Sequence, residues 1–335
     1  MTSDERLIRV GFIGAGGIAE RHVRSLQRMS GVQITACSDI DLERAQRLAS
    51  RTRGQAYQAH RDMLQFEVLD AVYICVPPFA HGDPEQAVID ARLPFFVEKP
   101  LSLDLATADA IARSVGEHGL LTSVGYHWRY LDTVEEARRL LCGNPAQLVS
   151  GYWLDQTPPP PWWWNERCSG GQIVEQATHI IDLARYLVGE IVEVSAFTAR
   201  GKPREEFPGL DVSTSTAVSL RFAAGAVGTL GTTCVLRWGH RIGLHLFADG
   251  LAIELSEREI MIDIGRGRPI RAANDDPVYL EDCDFIDAVR GLGNRVRSPY
   301  GVALETHRVA LAIAQSARTG RPVAVAETKP EAAVV

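Results

Sequence analysis

Apolar residues in the first 125 positions are concentrated in short runs, of which 71–76 is unbroken, and amphipathic stretches separate these runs. Each run is long enough for a strand that is buried on both faces, and together the runs cover residues 7–13, 32–37, 71–76, 94–97 and 120–125. The stretches between them carry apolar residues at helical spacing, and Asp41 is a suitable N-cap for a helix over 42–52. Strands that alternate with helices predict an α/β fold with a doubly wound parallel sheet.

The pattern changes after Gly125, where strands with turn residues between them replace the regular alternation. These strands are predicted at 147–154, 192–199, 214–222, 226–236, 242–247 and 251–255. The turn Ala223–Gly225 predicts an antiparallel hairpin. Further helices are predicted at 134–141, 171–188, 280–290 and 304–317. We therefore predict an α+β domain over 127–335 with a mainly antiparallel open sheet, and we expect its tail, 327–335, to be poorly ordered.

The first strand ends in a glycine-rich turn that reads GAGGIA and matches the pattern G-x-G-x-x-G/A. Gly14 permits the tight turn, Gly16 leaves room for a pyrophosphate at the backbone, and Ala19 lets helix and strand pack closely. The free N–H groups and the positive dipole end of the following helix favour phosphate. Asp39 ends the second strand, where it can accept hydrogen bonds from both adenosine ribose hydroxyls and would repel a 2′-phosphate. This order predicts a Rossmann domain over 1–126 that binds NAD rather than NADP.

The cofactor contacts that this fold predicts lie at the carboxyl ends of its strands, where ligands of doubly wound sheets bind. They are Gly14, Gly16, Gly17, Ile18, Asp39, Cys75, Val76, Pro77, His81, Glu98 and Lys99. The alternative is a glycine turn that only packs a strand against a helix. The succession of strand, turn, helix, strand and acid favours the dinucleotide site.

The composition narrows the classes of function and of partner. The 335 residues carry a net charge of −7 and contain no long basic run, so nucleic acid is not an expected partner. No apolar run reaches the length of a membrane span, and the start, MTSDERLIRV, lacks the apolar segment of a signal peptide. The six cysteines are scattered without a CxxC pair, which is typical of reduced thiols in a cytoplasmic protein.

Glu98, Lys99 and Pro100 follow the fourth apolar run and form the first candidate for chemistry. A peptide bond before proline can be cis at a strand end, and it would then aim the lysine side chain sharply. Lys99 could hydrogen-bond a substrate oxygen and share in the transfer of its proton. On local sequence alone, the alternative is a solvated turn.

The helix predicted over 171–188 carries ionisable residues opposite to its apolar face. Glu175, His179 and Asp182 are spaced i, i+4 and i+7, which fits a solvated polar face, an acid–base pair or a metal site. We expect no metal, because no further cluster of His or Cys completes a coordination sphere. The cofactor domain favours the acid–base pair, since oxidising an alcohol needs a hydride acceptor and a base, and a neutral histidine suits the base.

Three consecutive tryptophans, Trp162 to Trp164, follow four prolines in a loop that the sequence predicts to be stiff. Tryptophan faces pack well on the C–H faces of sugar rings, and equally well against another subunit. Both interpretations stay open, and we expect Trp162 or Trp163 near the substrate.

Six segments together resemble the Gfo/Idh/MocA family of oxidoreductases, and the resemblance extends along essentially the whole chain. The segments read GFIGAGGIA, AVYICVPPFAH, VEKPLS, GYHWRY, SGGQIVEQATHIIDLARYL and SARTGRPVAV. The resemblance implies a Rossmann domain followed by an α+β domain whose open sheet commonly forms dimers or tetramers. It also implies NAD(P)-linked oxidation or reduction of sugars, cyclitols and related polyols.

The resemblance also implies roles for individual residues. It places Lys99 of the EKP motif and His179 on either side of the substrate carbon. Many members carry Asp four residues before that histidine, whereas this chain has Glu175, whose longer side chain keeps the charge and displaces it. Glu175 is therefore expected to orient His179, to hold a substrate hydroxyl or to point elsewhere. Positions that often contact substrate in relatives are occupied here by His127, Trp128 and Arg129.

We therefore expect an NAD-dependent dehydrogenase that acts on a secondary hydroxyl of a sugar, glycoside or cyclitol and forms a homodimer or homotetramer through its C-terminal sheet. The expected catalytic residues are Lys99, His179 and Glu175. The alternatives are an NADP(H)-linked sugar ketoreductase, an enzyme that recycles NAD while it cleaves glycosides, and a catalytically silent regulator that senses dinucleotides. The joint presence of Lys99 and His179 argues against the regulator, and Asp39 argues against NADP.

Overall fold

The computed structural model describes residues 6–202 and 204–327 of the chain. Residues 328–335, which hold almost all of the tail that we expect to be poorly ordered, lie outside the described residues. The chain forms two compact units. The first runs up to Ser102 and adds Thr107–His127 and Asp276–Leu304, and the second holds Leu103–Ala106, Trp128–Asp275 and the residues from Glu305 onward.

Within the described residues, the first unit is built on a parallel sheet of six strands. They are β1 Ile8–Ile13, β2 Val32–Ser38, β3 Gln55–Tyr57, β4 Ala71–Ile74, β5 Phe95–Val97 and β6 Thr122–Val124. Their order is β3-β2-β1-β4-β5-β6, and every neighbouring pair is parallel, which confirms the predicted doubly wound sheet. The order reverses at β1, so the carboxyl ends of β1 and β4 flank the crevice in which such sheets bind ligands.

Helices connect the strands of the first unit close to the predicted positions. They are α1 Gly17–Leu26, α2 Leu42–Thr52, α3 His60–Phe66, α4 Asp83–Asp90 and α5 Leu105–His118. Asp41 caps α2 as predicted, because its carboxylate accepts the N–H groups of Glu43 and Arg44. Ala19 of α1 is fully buried in the core of this unit, as close packing between helix and strand requires.

In the part of the chain that the structure describes, the second unit is built on a mixed sheet of nine strands. They are β7 Leu148–Gln156, β8 Ile191–Ala199, β9 Ser215–Phe222, β10 Val227–Leu236, β11 Arg241–Ala248, β12 Leu251–Leu255, β13 Glu259–Asp263, β14 Ile270–Ala272 and β15 Val323–Ala324. Their order is β14-β13-β12-β11-β7-β10-β9-β8-β15, and among these described strands only β10 and β7 pair in parallel. The mainly antiparallel sheet is thereby confirmed, including the hairpin of β9 and β10.

The remaining helices are α6 Asp132–Leu141, α7 Glu166–Ser169, α8 Gly171–Glu175, α9 Thr178–Val188, α10 Pro277–Arg290 and α11 Tyr300–Thr319. The prediction of a single helix over 171–188 is wrong, because the structure divides it into α8 and α9. The carbonyl of Gln172 accepts the N–H groups of both Gln176, at 3.0 Å, and Ala177, at 2.8 Å, so this turn holds an extra residue. Glu175 and His179 therefore do not share one face of one continuous helix.

Helices cover one face of the nine-stranded sheet and leave the other face open. On β7, Val149 lies in the core, whereas its neighbour Leu148 is 45% exposed, as the alternation of side chains along a strand requires. Val227 of β10 and Phe247 of β11 pair with Leu148 and are 51% and 38% exposed. Three large apolar side chains thus lie in register on the open face.

A late segment of the chain returns to the first unit. The segment Asp276–Leu304 belongs to that unit, and Phe285 and Ile286 of α10 are buried in the same core as Val10 and Phe12 of β1. The division predicted at 126/127 lies directly before His127, after which the chain passes to the second unit until Asp275. The sequence pattern gave no sign of the return, because α10 has no special composition.

All six cysteines are free thiols. Cys37 and Cys75 are buried in the hydrophobic core of the first unit. Burial raises the pKa of Cys37 to about 12, which keeps it a neutral thiol. Among the described residues, no helix is both long enough and apolar enough to cross a membrane.

Candidate active site

The turn after β1 has the geometry of a phosphate-binding site. Gly14 adopts a φ of +92°, and a Cβ there would lie 2.2 Å from the carbonyl oxygen of Cys75, so only glycine fits. A Cβ at Gly16 or Gly17 would meet no heavy atom within 4 Å, so both border open space at the N-terminus of α1. The first N–H groups of a helix have no acceptor within it and suit an anion. These residues therefore fit the pyrophosphate of a dinucleotide.

Asp39 follows β2 and lies against the same turn. One carboxylate oxygen accepts the N–H of Ala15 at 2.9 Å, and the other accepts the N–H of Asp41 at 2.9 Å. These bonds hold the carboxylate beside the glycine turn, where the ribose of a dinucleotide carries its hydroxyls in Rossmann folds. The next residue, Ile40, is exposed, and Arg44 of α2 pairs with Asp41 at 3.2 Å. The surroundings of Asp39 thus suit a neutral ribose better than a 2′-phosphate.

A loop follows β4 at the carboxyl edge of the sheet and holds the predicted contacts Cys75, Val76 and Pro77. His81, slightly further along, pairs its imidazole with the carboxylate of Glu85. Its Nδ1 lies 2.5 Å from Oε1 of Glu85, while Oε2 of Glu85 accepts the N–H of Gly82 at 2.6 Å. The side chains of His81 and Glu85 are both buried. The imidazole of His81 therefore stabilises the start of α4.

Lys99 follows β5, the strand beside β4, and is partly buried. The peptide bond between Lys99 and Pro100 is cis. The carboxylate of Glu98 is buried and lies 3.0 Å from Nε2 of His22, so the solvated-turn alternative does not hold for Glu98. The chain contains three lysines among its 335 residues, and one of them occupies this strand end.

The segment His127–Tyr130 forms a short 3₁₀ helix after β6, and most of its side chains are buried. The guanidinium of Arg129 binds both carboxylate oxygens of Asp182 at 2.7 Å. Trp128 belongs to the core of the second unit and lines a pocket of about 590 Å³ beside β11, β12 and β13. Arg129 is thus engaged with α9, which the sequence pattern did not indicate.

The polar residues of α9 are buried, so the solvated-face interpretation is wrong. Asp182 accepts a hydrogen bond from the hydroxyl of Thr306 at 2.7 Å in addition to its pairing with Arg129. His179 is also buried, and its ring lies nearly parallel to that of Trp153 on β7, with centroids 6.0 Å apart and planes at 18°. This packing fixes the orientation of the imidazole, as a group that transfers protons requires.

The tryptophan loop holds the carboxylate of Glu175. Trp163 is fully buried, and its indole Nε1 donates to Oε2 of Glu175 at 2.8 Å. The indole of Trp164 donates to the carbonyl of Pro158 at 2.8 Å, which ties the loop to its own start. Trp162 is partly buried. Because Trp163 is inside the fold, it can neither stack on a sugar nor contact another subunit, and both interpretations are wrong for this ring.

His22, Glu98 and Glu281 form the one group of three potential metal ligands found among residues 6–202 and 204–327. Nδ1 of His22 lies 2.8 Å from Asp282, and Nε2 lies 3.0 Å from Glu98. A cation at this imidazole would have to displace one of these hydrogen bonds. The cluster is therefore a buried hydrogen-bond network, and the sequence pattern did not predict it.

Comparison with known proteins assigns this fold and these motifs to a family. Residues 8–126 match an oxidoreductase family with an NAD-binding Rossmann fold, and residues 142–253 match the GFO/IDH/MocA C-terminal domain. The chain belongs to the Gfo/Idh/MocA family. Its membership confirms the resemblance seen in the sequence and makes the protein an oxidoreductase with an NAD-binding fold.

Relatives within the Gfo/Idh/MocA family are similar over most of their length. The chain is 26% identical to the uncharacterized oxidoreductase YrbE of Bacillus subtilis, over 96% of this chain and 98% of that protein. It is 27% identical to the myo-inositol 2-dehydrogenase of Thermotoga maritima, over 72% of each chain. A solved levoglucosan dehydrogenase, in complex with NADH and levoglucosan, superposes with a TM-score of 0.85 at 20% identity, over 96% of this chain and 100% of that one. This last likeness is one of fold.

Proposed function

We propose that this chain is a cytoplasmic, NAD-dependent dehydrogenase that oxidises a secondary hydroxyl of a sugar, glycoside or cyclitol. The observation that carries the proposal is the shared carboxyl edge of the parallel sheet. Gly14 follows β1, Cys75 follows β4 and Lys99 follows β5, and these three strands are neighbours. A glycine turn suited to phosphate and a lysine suited to an oxygen anion therefore belong to one edge of the first unit. The myo-inositol 2-dehydrogenase relative supports cyclic polyols as the substrate class.

The first unit would hold NAD through three of its parts. The N–H groups at the start of α1, from Gly16 to Ile18, would bind the pyrophosphate, and Asp39 would accept the ribose hydroxyls. The strand ends Cys75–Pro77 and Glu98–Lys99, with the backbone at His81, would border the nicotinamide half. Bound NAD supplies the acceptor for the hydride that leaves the substrate carbon.

Three side chains would take part in the reaction at the substrate hydroxyl. His179 would take its proton as general base, a role that the packing against Trp153 supports by fixing the ring. Lys99 would donate a hydrogen bond to the oxygen as negative charge develops on it. Glu175, anchored by Trp163, would stabilise the protonated His179 or hold a neighbouring substrate hydroxyl.

The five residues expected to contact substrate fall into two groups that differ in how exposed their side chains are. His127 and Trp162 keep partly exposed side chains, and we propose that these two contact the sugar or polyol. The other three are buried and would act through the groups that they hold in place; they are Trp128, Arg129 and Trp163.

A screen of NADH absorbance tests the proposed function. The protein is mixed with NAD, and separately with NADP, and offered inositols, free hexoses, anhydrosugars and glycosides. We expect NADH to accumulate with one class of cyclic polyol. Cleavage of a glycoside without net formation of NADH would support an enzyme that recycles its NAD. Binding of NAD without any product would support a catalytically silent regulator. Either result would overturn the proposal.

Replacing Asp39 by asparagine should shift the cofactor preference toward NADP(H). We expect NADH to bind about tenfold more weakly, because hydrogen bonds to a charged carboxylate are lost, and NADPH to bind more tightly, because a like charge is removed. Fluorescence titration of each nucleotide measures both changes. Glu43→Gln is the matched control, since it removes one negative charge from an exposed side chain of α2 that pairs with Arg47 at 3.8 Å, and it should leave the ratio of the two Kd values unchanged. An unchanged ratio in Asp39→Asn would exclude Asp39 from the ribose site.

We also propose that the open face of the nine-stranded sheet joins copies of the chain into a homodimer or homotetramer. Leu148, Val227 and Phe247 lie in register on this face, and exposed apolar groups of this kind mark interfaces. Lysine at positions 148 and 247 together should reduce the mass in light scattering to that of one chain. Leu292→Lys, on an exposed residue of the first unit, is the control that should change nothing. A wild-type monomer, or an oligomer that the double variant leaves intact, would contradict the proposal.

A further inference from the structure

Three segments that are far apart in the sequence meet at the side chain of His22 in the first unit. Nδ1 of His22, on α1, lies 2.8 Å from Oδ1 of Asp282 on α10, and Nε2 lies 3.0 Å from Oε1 of Glu98. All three side chains are buried, and the rings of Phe96 and Tyr73 lie 4.8 and 5.4 Å from the imidazole. An imidazole between two carboxylates donates from both nitrogens only when it is protonated.

Within this cluster, His22 and Glu98 each shift the pKa of the other toward its ionised form. Burial alone would lower the pKa of His22, but the carboxylates of Asp282 and Glu98 outweigh it and raise that pKa well above its usual value. Burial would likewise raise the pKa of Glu98, yet its hydrogen bond to His22 and the charge of His22 lower it. Burial raises the pKa of the neighbouring Glu281 well above its usual value. The cluster thus holds the imidazole of His22, whose pKa is raised, between the carboxylates of Glu98 and Asp282.

Glu98 connects the cluster to the backbone of Lys99. Oε2 of Glu98 accepts the backbone N–H of Lys99 at 3.1 Å, while Oε1 faces His22. Gly125, after β6, leaves room for this carboxylate, because a Cβ there would lie 2.6 Å from Oε1. The charges of Lys99 and His127 both favour the ionised form of Glu98. The residue directly before Lys99 is thus held by groups from several elements.

We propose that His22 is a positioning residue for Lys99. Through Glu98 it fixes the strand end that carries the lysine, and through Asp282 it anchors that strand end to α10. Since α1 also begins at the glycine turn, His22 links the phosphate site to the lysine within the first unit. The proposal rests on the proposed function, in which Lys99 acts on the substrate oxygen. The proposal also gives a function to residues 276–304, the late segment of the first unit, because this segment contains Asp282.

Reductive methylation with ¹³C-formaldehyde gives a probe that needs no substrate. The chain has three lysines, Lys99, Lys202 and Lys329, and their dimethylated forms keep the positive charge and give few NMR signals. In His22→Gln and in Asp282→Asn, we expect the Lys99 signal to shift or broaden while the Lys202 signal stays in place. Comparison with Lys99→Arg assigns the signal.

Turnover gives the second readout. The same two variants should lower kcat by about tenfold to a hundredfold while KM for NAD stays within about threefold, because small displacements of a reacting group cost such factors. Arg9→Gln is the matched control. Arg9 pairs with Asp70 at 2.9 Å near the start of β1, and its hydrogen bond lowers the pKa of Asp70 to about 2. Its loss should lower thermal stability without moving the Lys99 signal or kcat.

The outcomes separate this inference from the proposed function. A Lys99 signal and a kcat that stay at wild-type values in both variants would overturn the positioning role. Equal disturbance of the Lys99 and Lys202 signals would show general loosening of the fold and would overturn it as well. A Lys99 signal that shifts alone, in a protein that oxidises no substrate, would support the positioning role and overturn the proposed function.

Discussion

Replacing Lys99 by methionine should lower kcat by about a thousandfold and leave the Kd for NADH within about threefold of the wild-type value. Methionine keeps an unbranched side chain of similar length but removes the ammonium group that would stabilise negative charge on the substrate oxygen. NADH should still bind, because the glycine turn and Asp39 are untouched. Steady-state rates with the substrate from the screen and fluorescence titration with NADH measure the two quantities.

Lys202 is the matched control for this change, since it is exposed and lies in the second unit. Lys202→Met should retain full activity. A Lys99→Met protein with near wild-type kcat would remove the lysine from the reaction. Loss of NADH binding in Lys99→Met would assign the lysine to cofactor binding instead of chemistry.

Replacing His179 by asparagine should lower kcat by about a hundredfold to ten-thousandfold, the usual contribution of a general base. Asparagine is polar and similar in shape near the backbone, so α9 should keep its fold although the ring contact with Trp153 is lost. The remaining activity should rise steadily with pH, because hydroxide from solvent then has to take the proton. Rates measured across a range of pH, at saturating NAD and substrate, test both expectations.

His118→Asn is the control for this variant, since His118 bonds only locally, with Nδ1 at 2.7 Å from the carbonyl of Ser114, at the end of α5. It should leave the rate and its pH dependence unchanged. Glu175→Gln, which keeps an acceptor for Trp163 and removes the charge, should give a smaller loss than His179→Asn. A His179→Asn enzyme with wild-type kcat/KM would exclude the histidine as the base.

The first unit could be predicted from sequence because its strands are buried on both faces. Such strands leave largely apolar runs, and the run at 7–13, which is interrupted by Arg9, corresponds to β1 almost residue for residue. The run at 71–76 overestimates β4, which ends at Ile74. Cys75 and Val76 remain apolar after the strand ends, so periodicity alone does not show where the ladder stops.

The second unit was predicted in outline, and its local errors have physical causes. The side chains of 171–188 keep good helical spacing, but the break at Gln176 depends on which N–H groups the carbonyl of Gln172 accepts. The bond from Trp163 to Glu175 depends on how a proline-rich loop folds back. Neither main-chain pairing nor loop path leaves a periodic signal in the sequence.

The network at His22 was not predictable, because its partners are separated by 76 and 260 positions. One local signal was available. His22 lies on the apolar face of α1 with Ile18 and Leu26, and a titratable group on a buried face needs a partner. The sequence could show that such a partner was needed but not that Glu98 and Asp282 supply it.

A single-turnover experiment with a substrate deuterated at the oxidised carbon tests the central claim most directly, namely that this protein moves a hydride from a polyol to NAD. Enzyme and NAD are mixed in excess over the substrate, and mass spectrometry follows the nucleotide and the sugar. The account predicts that the deuterium appears in the reduced nucleotide and that the sugar becomes a ketone without it. Deuterium that remains in the sugar or its fragments, with NAD unchanged at the end, would contradict the account.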